Sequence, residues 1–222
     1  TFWERYNMDY DVFCNTYSVE KIEITSTFDG HIIPADYIYA LGKEGNKDNS
    51  TVILVHGLGG NRYTNYPLAE MFLQKGYNVL TYDQRSSNEN TAQYTTFGYW
   101  EKYDLIDYID YVYAYAPEQV IGIWGTSFGG ATAGLAMGEK DVERKVDFLI
   151  LDCPVSDMKW MVEEEIKKQI QKTGGTAFVF DSVQLKMDTD IFMISILPIK
   201  QNYILQWHQN LLKKQKIPKL FL

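Results

Sequence analysis

Apolar positions along the chain follow two rhythms, one suited to strands and one to helices. From Val19 they recur in two β-rich runs (Val19, Ile22, Ile24 and Phe28, then Ile32, Ile33, Tyr37, Ile38 and Tyr39) separated by Asp29-Gly30. Asp-Gly between such runs predicts a hairpin, with His31, directly after the turn, on a solvent-exposed strand position. Near-continuous apolar runs at Thr51–Val55, Tyr77–Tyr82, 119–124 and Val146–Leu151 read as strands covered on both faces. Helical patterns lie between them. Pro67 opens one, Leu68, Met71 and Phe72 form its stripe, and Gly76 ends it. A second, from about Tyr99 to Ala116, puts Leu105, Ile109, Val112 and Ala116 on one face before Pro117. Strands alternating with helices predict an α/β fold, a mostly parallel sheet with helices on both faces behind an N-terminal antiparallel hairpin. In such sheets the functional loops lie beyond the carboxyl ends of the strands.

The two ends are less regular. Residues 1–18 are aromatic and acidic without clear periodicity, and read as an arm on the surface of a single domain spanning 1–222. Asp157 is placed to cap a helix over 158–172, with Val162, Ile166 and Ile170 on one side and the pairs Glu163–Lys167 and Glu164–Lys168 on the other. Gly174-Gly175 breaks it.

The run Val120 to Trp124 empties into Gly125-Thr126-Ser127-Phe128-Gly129, followed by small residues suited to close helix packing (Ala131, Ala133, Gly134, Ala136). This reads as strand, tight turn and helix, with Ser127 at the apex. Side chains at 125 and 129 would collide with the neighbouring strand and helix. The first amides of the helix, unpaired and at the positive end of its dipole, suit a developing oxyanion.

With two further motifs, His56-Gly57-Leu58-Gly59-Gly60-Asn61-Arg62 and Asp83-Gln84-Arg85-Ser86, each after an apolar run, residues 19–157 resemble the α/β-hydrolase family of serine hydrolases, which includes esterases, lipases and peptidases. The resemblance implies that Ser127 is the nucleophile and that the backbone N–H groups of Leu58 and Phe128 form the oxyanion hole. It implies that His56 supports the oxyanion loop rather than acting as the base, and that 157–212 holds the cap or lid. The family order is Ser, then Asp or Glu, then His. Only His208 follows Ser127, within a helical stretch beside Trp207 and Leu211, so it reads first as a partly buried helix residue. A triad of Ser127, Asp152 and His208 has the right order and is the fallback. The preferred expectation is that Lys216–Leu222 resembles the start of the family's seventh strand, leaving the usual acid and histidine beyond the given residues and the activity of this form impaired.

Composition narrows the partners. The net charge of −8 argues against nucleic acid or an anionic membrane. No His/Cys/Asp cluster has metal-ligand spacing, and neither a Gly-x-Gly-x-x-Gly nor a P-loop follows the first parallel strand, so no metal or cofactor is implied. Cys14 and Cys153 make no disulfide framework, and Cys153 reads as a buried small hydrophobe. The expected partner is a small acyl substrate, its apolar group held by Tyr94, Phe97, Tyr99, Trp100 and the lid. A hydrolase-like binding module without catalysis is the alternative.

Overall fold

The computed structural model describes residues 8–157 together with Trp160, Met161 and Glu164. Six strands form one sheet: β1 (Val19–Thr25), β2 (Ile32–Ile38), β3 (Thr51–Val55), β4 (Asn78–Tyr82), β5 (Ile121–Thr126) and β6 (Phe148–Asp152), in the order β1-β2-β4-β3-β5-β6. β1 and β2 pair antiparallel, with Val19 opposite Ile38 and Thr25 opposite Ile32. Gly30 takes φ +78° in the connecting turn, as the Asp-Gly signal requires. β2 joins β4 antiparallel, and β4, β3, β5 and β6 then run parallel.

Among the described residues, the helices α1 (Tyr10–Thr16), α2 (Tyr66–Leu73), α3 (Glu101–Tyr115) and α4 (Phe128–Met137) cover the sheet. The pleat of β3 sorts the core. Ile53 and Val55 join Leu105, Tyr108, Ile109 and Val112 of α3 and Ala133 and Ala136 of α4. Val52 and Leu54 face the other way, toward Tyr66, Ala69 and Leu73 of α2 and Phe13 and Tyr17 at α1. Leu105, Ile109 and Val112 are completely buried; each such side chain contributes about 1.5–3 kcal/mol.

Sequence and structure part at several places. The N-terminal arm contains a seven-residue helix, capped by Asp9, whose Oδ1 accepts the Val12 amide at 3.0 Å. So short a helix, burying only Phe13, displays no apolar repeat. α3 begins at Glu101, not Tyr99. The buried Glu101 carboxylate turns back to accept from the amides of Thr96 and Gly98 and the hydroxyls of Thr95 and Thr96, each at 2.8 Å. Cys153 is exposed rather than buried, because β6 ends at Asp152 and the backbone swings to φ +47° at Cys153. Asp157 accepts the Trp160 amide at 2.8 Å, the cap contact its position predicts. The proposed cap region beyond it, its ion pairs, His208 and the 217–222 stretch lie outside the described residues. Among the described residues no helix is long and apolar enough to cross a membrane.

Candidate active site

β5 ends at Thr126 and α4 begins at Phe128, so the chain reverses on Ser127 alone. Ser127 has φ +53° and ψ −114°, a region that costs a side-chain-bearing residue about 1–3 kcal/mol and survives only where its surroundings over-determine it. Here they do. Its N–H donates to the Asp152 carbonyl at 2.8 Å, and its carbonyl accepts from Gly130, Ala131 and Val155 at 3.0, 3.2 and 3.3 Å. The two glycines make the reversal feasible. A β-carbon at 125 would lie 2.5 Å from the Gly129 carbonyl oxygen; one at 129 would lie 2.6 Å from the His56 carbonyl oxygen and closer still to that of Val55. Ser127 is partly exposed, and its hydroxyl makes no hydrogen bond to a described residue.

The loop after β3 passes directly over this turn. A β-carbon on Gly57 would sit 3.5 Å from Ser127 Cβ. Neither the Leu58 nor the Phe128 amide donates to an acceptor among the described residues. Phe128 also heads α4, where the dipole is positive.

His56 fastens the loop. Its Nε2 accepts the Gln84 amide at 3.0 Å, so the ring proton resides on Nδ1, which donates to the Gly57 carbonyl at 2.8 Å. Gln84 completes the clasp: its Nε2 donates to the His56 carbonyl at 2.6 Å, and its Oε1 accepts the Thr132 hydroxyl of α4 at 2.9 Å. Burial holds the imidazole below its ordinary pKa. With both nitrogens engaged and the ring neutral, His56 is a support for the loop, as the resemblance implied, and not a free base.

Arg62 ties the same loop to the one after β4. Its guanidinium pairs with Asp83, with Asp36 at 3.2 Å through Nε, and with Glu89. Its own amide donates to Asp83 Oδ1 at 2.8 Å, and Tyr66 donates to Asp36 at 2.7 Å. The sequence marks the runs ending in Arg62 and beginning with Asp83, but nothing in it marks Asp36 as their common partner.

Asp152 stands at the carboxyl end of β6, opposite Thr126. The structure brings it beside the turn through its carbonyl; its proposed partner His208 is not among the described residues. A cavity of about 490 Å³ lies between the 56–61 and 84–88 loops, with Leu58, Asn61, Gln84, Ser86, Asn88 and Phe128 in its wall. Of the four aromatics expected around an acyl group, none lines this cavity. Phe97 meets Phe128 edge-on at 6.1 Å, Trp100 lies against Phe28 at 5.7 Å, the Lys102 ammonium sits over Tyr99, and Tyr94 is largely exposed.

His31 is the side chain the sequence reading misplaced. Its side chain is only 8% exposed, with Nδ1 2.6 Å from Asp29 and Nε2 3.3 Å from Asp104. The carboxylates that enclose it come from the turn and from α3, and the second is 73 residues away, beyond the reach of any local pattern.

The strand order, the strained serine between β5 and α4 and the loop crossing it are joined by a sequence match: the profile of the alpha/beta hydrolase fold covers residues 50–178, more than half of the chain. The chain belongs to the α/β-hydrolase fold family. It is 32% identical over 141 residues to the uncharacterized protein YqkD of Bacillus subtilis (strain 168), covering 62% of this chain and 45% of YqkD. To the quorum-quenching protein AidA of Acinetobacter baumannii (strain MDR-ZJ06) it is 28% identical over 121 residues, 48% of this chain and 36% of AidA. Among solved structures, the Pyrococcus furiosus esterase Pf2001 superposes with a TM-score of 0.63 at 23% identity, over 84% of this chain and 65% of that one. The chain thus spans under half the length of YqkD and AidA.

Proposed function

We propose that this chain is a serine hydrolase of carboxylic esters, with Ser127 as nucleophile and the Leu58 and Phe128 amides as its oxyanion hole. The observation that carries the reading is the backbone of Ser127, at φ +53° and ψ −114° between a buried strand and a helix N-terminus. A left-handed, strained serine whose hydroxyl bonds to no described residue is costly to hold in place. The fold shared with the Pyrococcus furiosus esterase supports the assignment, though fold alone does not carry function.

In this mechanism Ser127 Oγ attacks the ester carbonyl carbon as its proton passes to a base. The carbonyl oxygen gains charge and accepts from the two amides, and collapse of the tetrahedral intermediate expels the alcohol. Water then releases the acid from the acyl-serine. His31 and His56 are each committed to other contacts. Of the three histidines in the sequence, His208 is the one that follows Ser127; a triad of Ser127, Asp152 and His208 is the fallback that residue order allows, and His208 lies outside the described residues.

The second reading, a hydrolase-like binding module without turnover, is favoured by the engagement of both described histidines. Turnover of a p-nitrophenyl butyrate ester separates the two. The hydrolase reading expects kcat/KM to fall at least about a thousandfold in Ser127→Ala. Folded wild-type protein no faster than that variant would favour the binding module.

A further inference from the structure

The Asp29–His31–Asp104–Arg85 cluster lies outside the chemistry proposed above, yet one end of it abuts the oxyanion loop. Two carboxylates and two cationic side chains meet where the β1–β2 turn touches α3. Arg85 donates to Asp29 at 2.7 and 3.2 Å and to Asp104 at 2.9 Å. His31 completes the square, hydrogen-bonded to Asp29, while its contact with Asp104 is an ion pair rather than a well-aligned hydrogen bond. With His31 protonated the four formal charges cancel. With it neutral, one negative charge is left uncompensated around Asp104, which is completely buried.

One further carboxylate, Asp107, lies near enough to Asp104 to feel its charge, and burial raises its pKa. Asp107 of α3 is engaged by the Thr27 amide and hydroxyl at 2.9 and 2.6 Å, and Ser26 donates to Asp104 at 3.2 Å. Burial works against the imidazolium, but the contacts with Asp104 and Asp29 outweigh it and raise the His31 pKa above its ordinary value.

Arg85 follows directly on Gln84, whose amide and side chain clasp His56, and His56 in turn holds the Gly57 carbonyl, the peptide unit that carries the Leu58 N–H. The loop is also stitched to the start of β2, directly after His31. The Ile32 amide donates to the Thr91 hydroxyl at 2.8 Å, and the Thr91 amide to the Ile32 carbonyl at 3.2 Å. We propose that His31, as an imidazolium between Asp29 and Asp104, is a positioning residue that sets the Leu58 amide through Arg85, Gln84 and His56. This rests on the oxyanion role proposed for Leu58. Loss of the His31 charge weakens the hold on Arg85, and a shift of the Leu58 amide acts on the oxyanion and not on ground-state binding, so it is read in kcat.

The test uses the full chain labelled with 15N, titrated from pH 5.5 to 9 by NMR. The expected result is that His31 keeps both ring protons above pH 6.5, and that the Gln84 and Leu58 amide shifts move with the same midpoint as His31. In Asp29→Asn, which keeps His31, all three midpoints fall together. His31 titrating at or below 6.5, or Gln84 and Leu58 amides that stay still through its titration, would overturn the proposal. In ester turnover, His31→Gln is expected to lower kcat about tenfold with KM within about twofold. The charge-balanced double variant Asp29→Asn/His31→Gln is expected to recover most of that loss. An unchanged kcat in folded His31→Gln, or a double variant worse than the single one, counts against it. Absence of turnover in the wild type would sink the hydrolase reading instead, and the NMR titration would still decide whether His31 moves Leu58.

Discussion

Two glycines five residues apart on α4 should answer the same substitution with opposite signs. Alanine is favoured over glycine inside a helix by about 0.5–1 kcal/mol, so propensity predicts a gain at both positions. At Gly134 nothing lies within 4 Å of the added β-carbon, and the gain should be realised. At Gly129 the β-carbon would be 2.6 Å from the His56 carbonyl oxygen and nearer to that of Val55. Both are backbone atoms of β3 or its exit, and β3 is held between β4 and β5, so they cannot swing aside as a side chain would. α4 has to withdraw by roughly 1 Å, loosening its contacts with Ile53 and Val55. Overpacking of this kind costs about 1–3 kcal/mol, at the upper end where the obstacle is rigid. The net expectation for Gly129→Ala is a loss of about 2–3 kcal/mol, a fall of roughly 5–10 °C in Tm for a chain of this size. Gly134→Ala should rise by about 1–4 °C. Thermal and urea unfolding followed by circular dichroism give both values. A Gly129→Ala protein within 0.5 kcal/mol of wild type would refute the close approach of α4 to β3, and with it the geometry assigned to Ser127.

Arg62→Met should cost about 3–5 kcal/mol in urea unfolding, since it leaves the buried Asp36 and Asp83 without their cation; a loss below 1 kcal/mol would show the network to be dispensable. The two described histidines should give stability slopes of opposite sign about their common unfolded pKa of about 6.5. His56 is held below that value in the fold, so the unfolded chain binds more protons there, and stability falls as pH drops from 6.5 toward the folded pKa. His31 is held above it, so its contribution is complete below 6.5 and is lost as pH rises through its folded pKa. Unfolding free energies from pH 5.5 to 8.5 for wild type, His56→Asn and His31→Gln should show the acid-side slope flattened in the first variant and the alkaline-side slope in the second.

What the sequence disclosed depended on range. The hairpin at Asp29-Gly30, the strand at Thr51–Val55 and the turn at Ser127 are each announced by residues within a few positions, and each stands where the pattern places it. The glycines at 125 and 129 were readable because the serine turn between them brings the two backbones together locally. His31 was not. Its environment is made by Arg85 and Asp104, which reach it only after the sheet and α3 have assembled. The same holds for Asp36 beneath Arg62, whose strand position gives no hint of a buried cation 26 residues away. Phe97 and Trp100 pack against Phe128 and Phe28, contacts that no local pattern announces. Cys153 continues an apolar run on paper, but one left-handed residue takes it out of the sheet.

A nucleophilic Ser127 needs a reactive hydroxyl, and a fluorophosphonate probe reads that reactivity directly. Folded protein incubated with the probe and mapped by mass spectrometry should carry one adduct, on the peptide containing Ser127. Urea-unfolded protein and the Ser127→Ala variant should carry none. Folded protein that stays unlabelled, or that is labelled on another residue, would contradict the assignment of Ser127 as nucleophile.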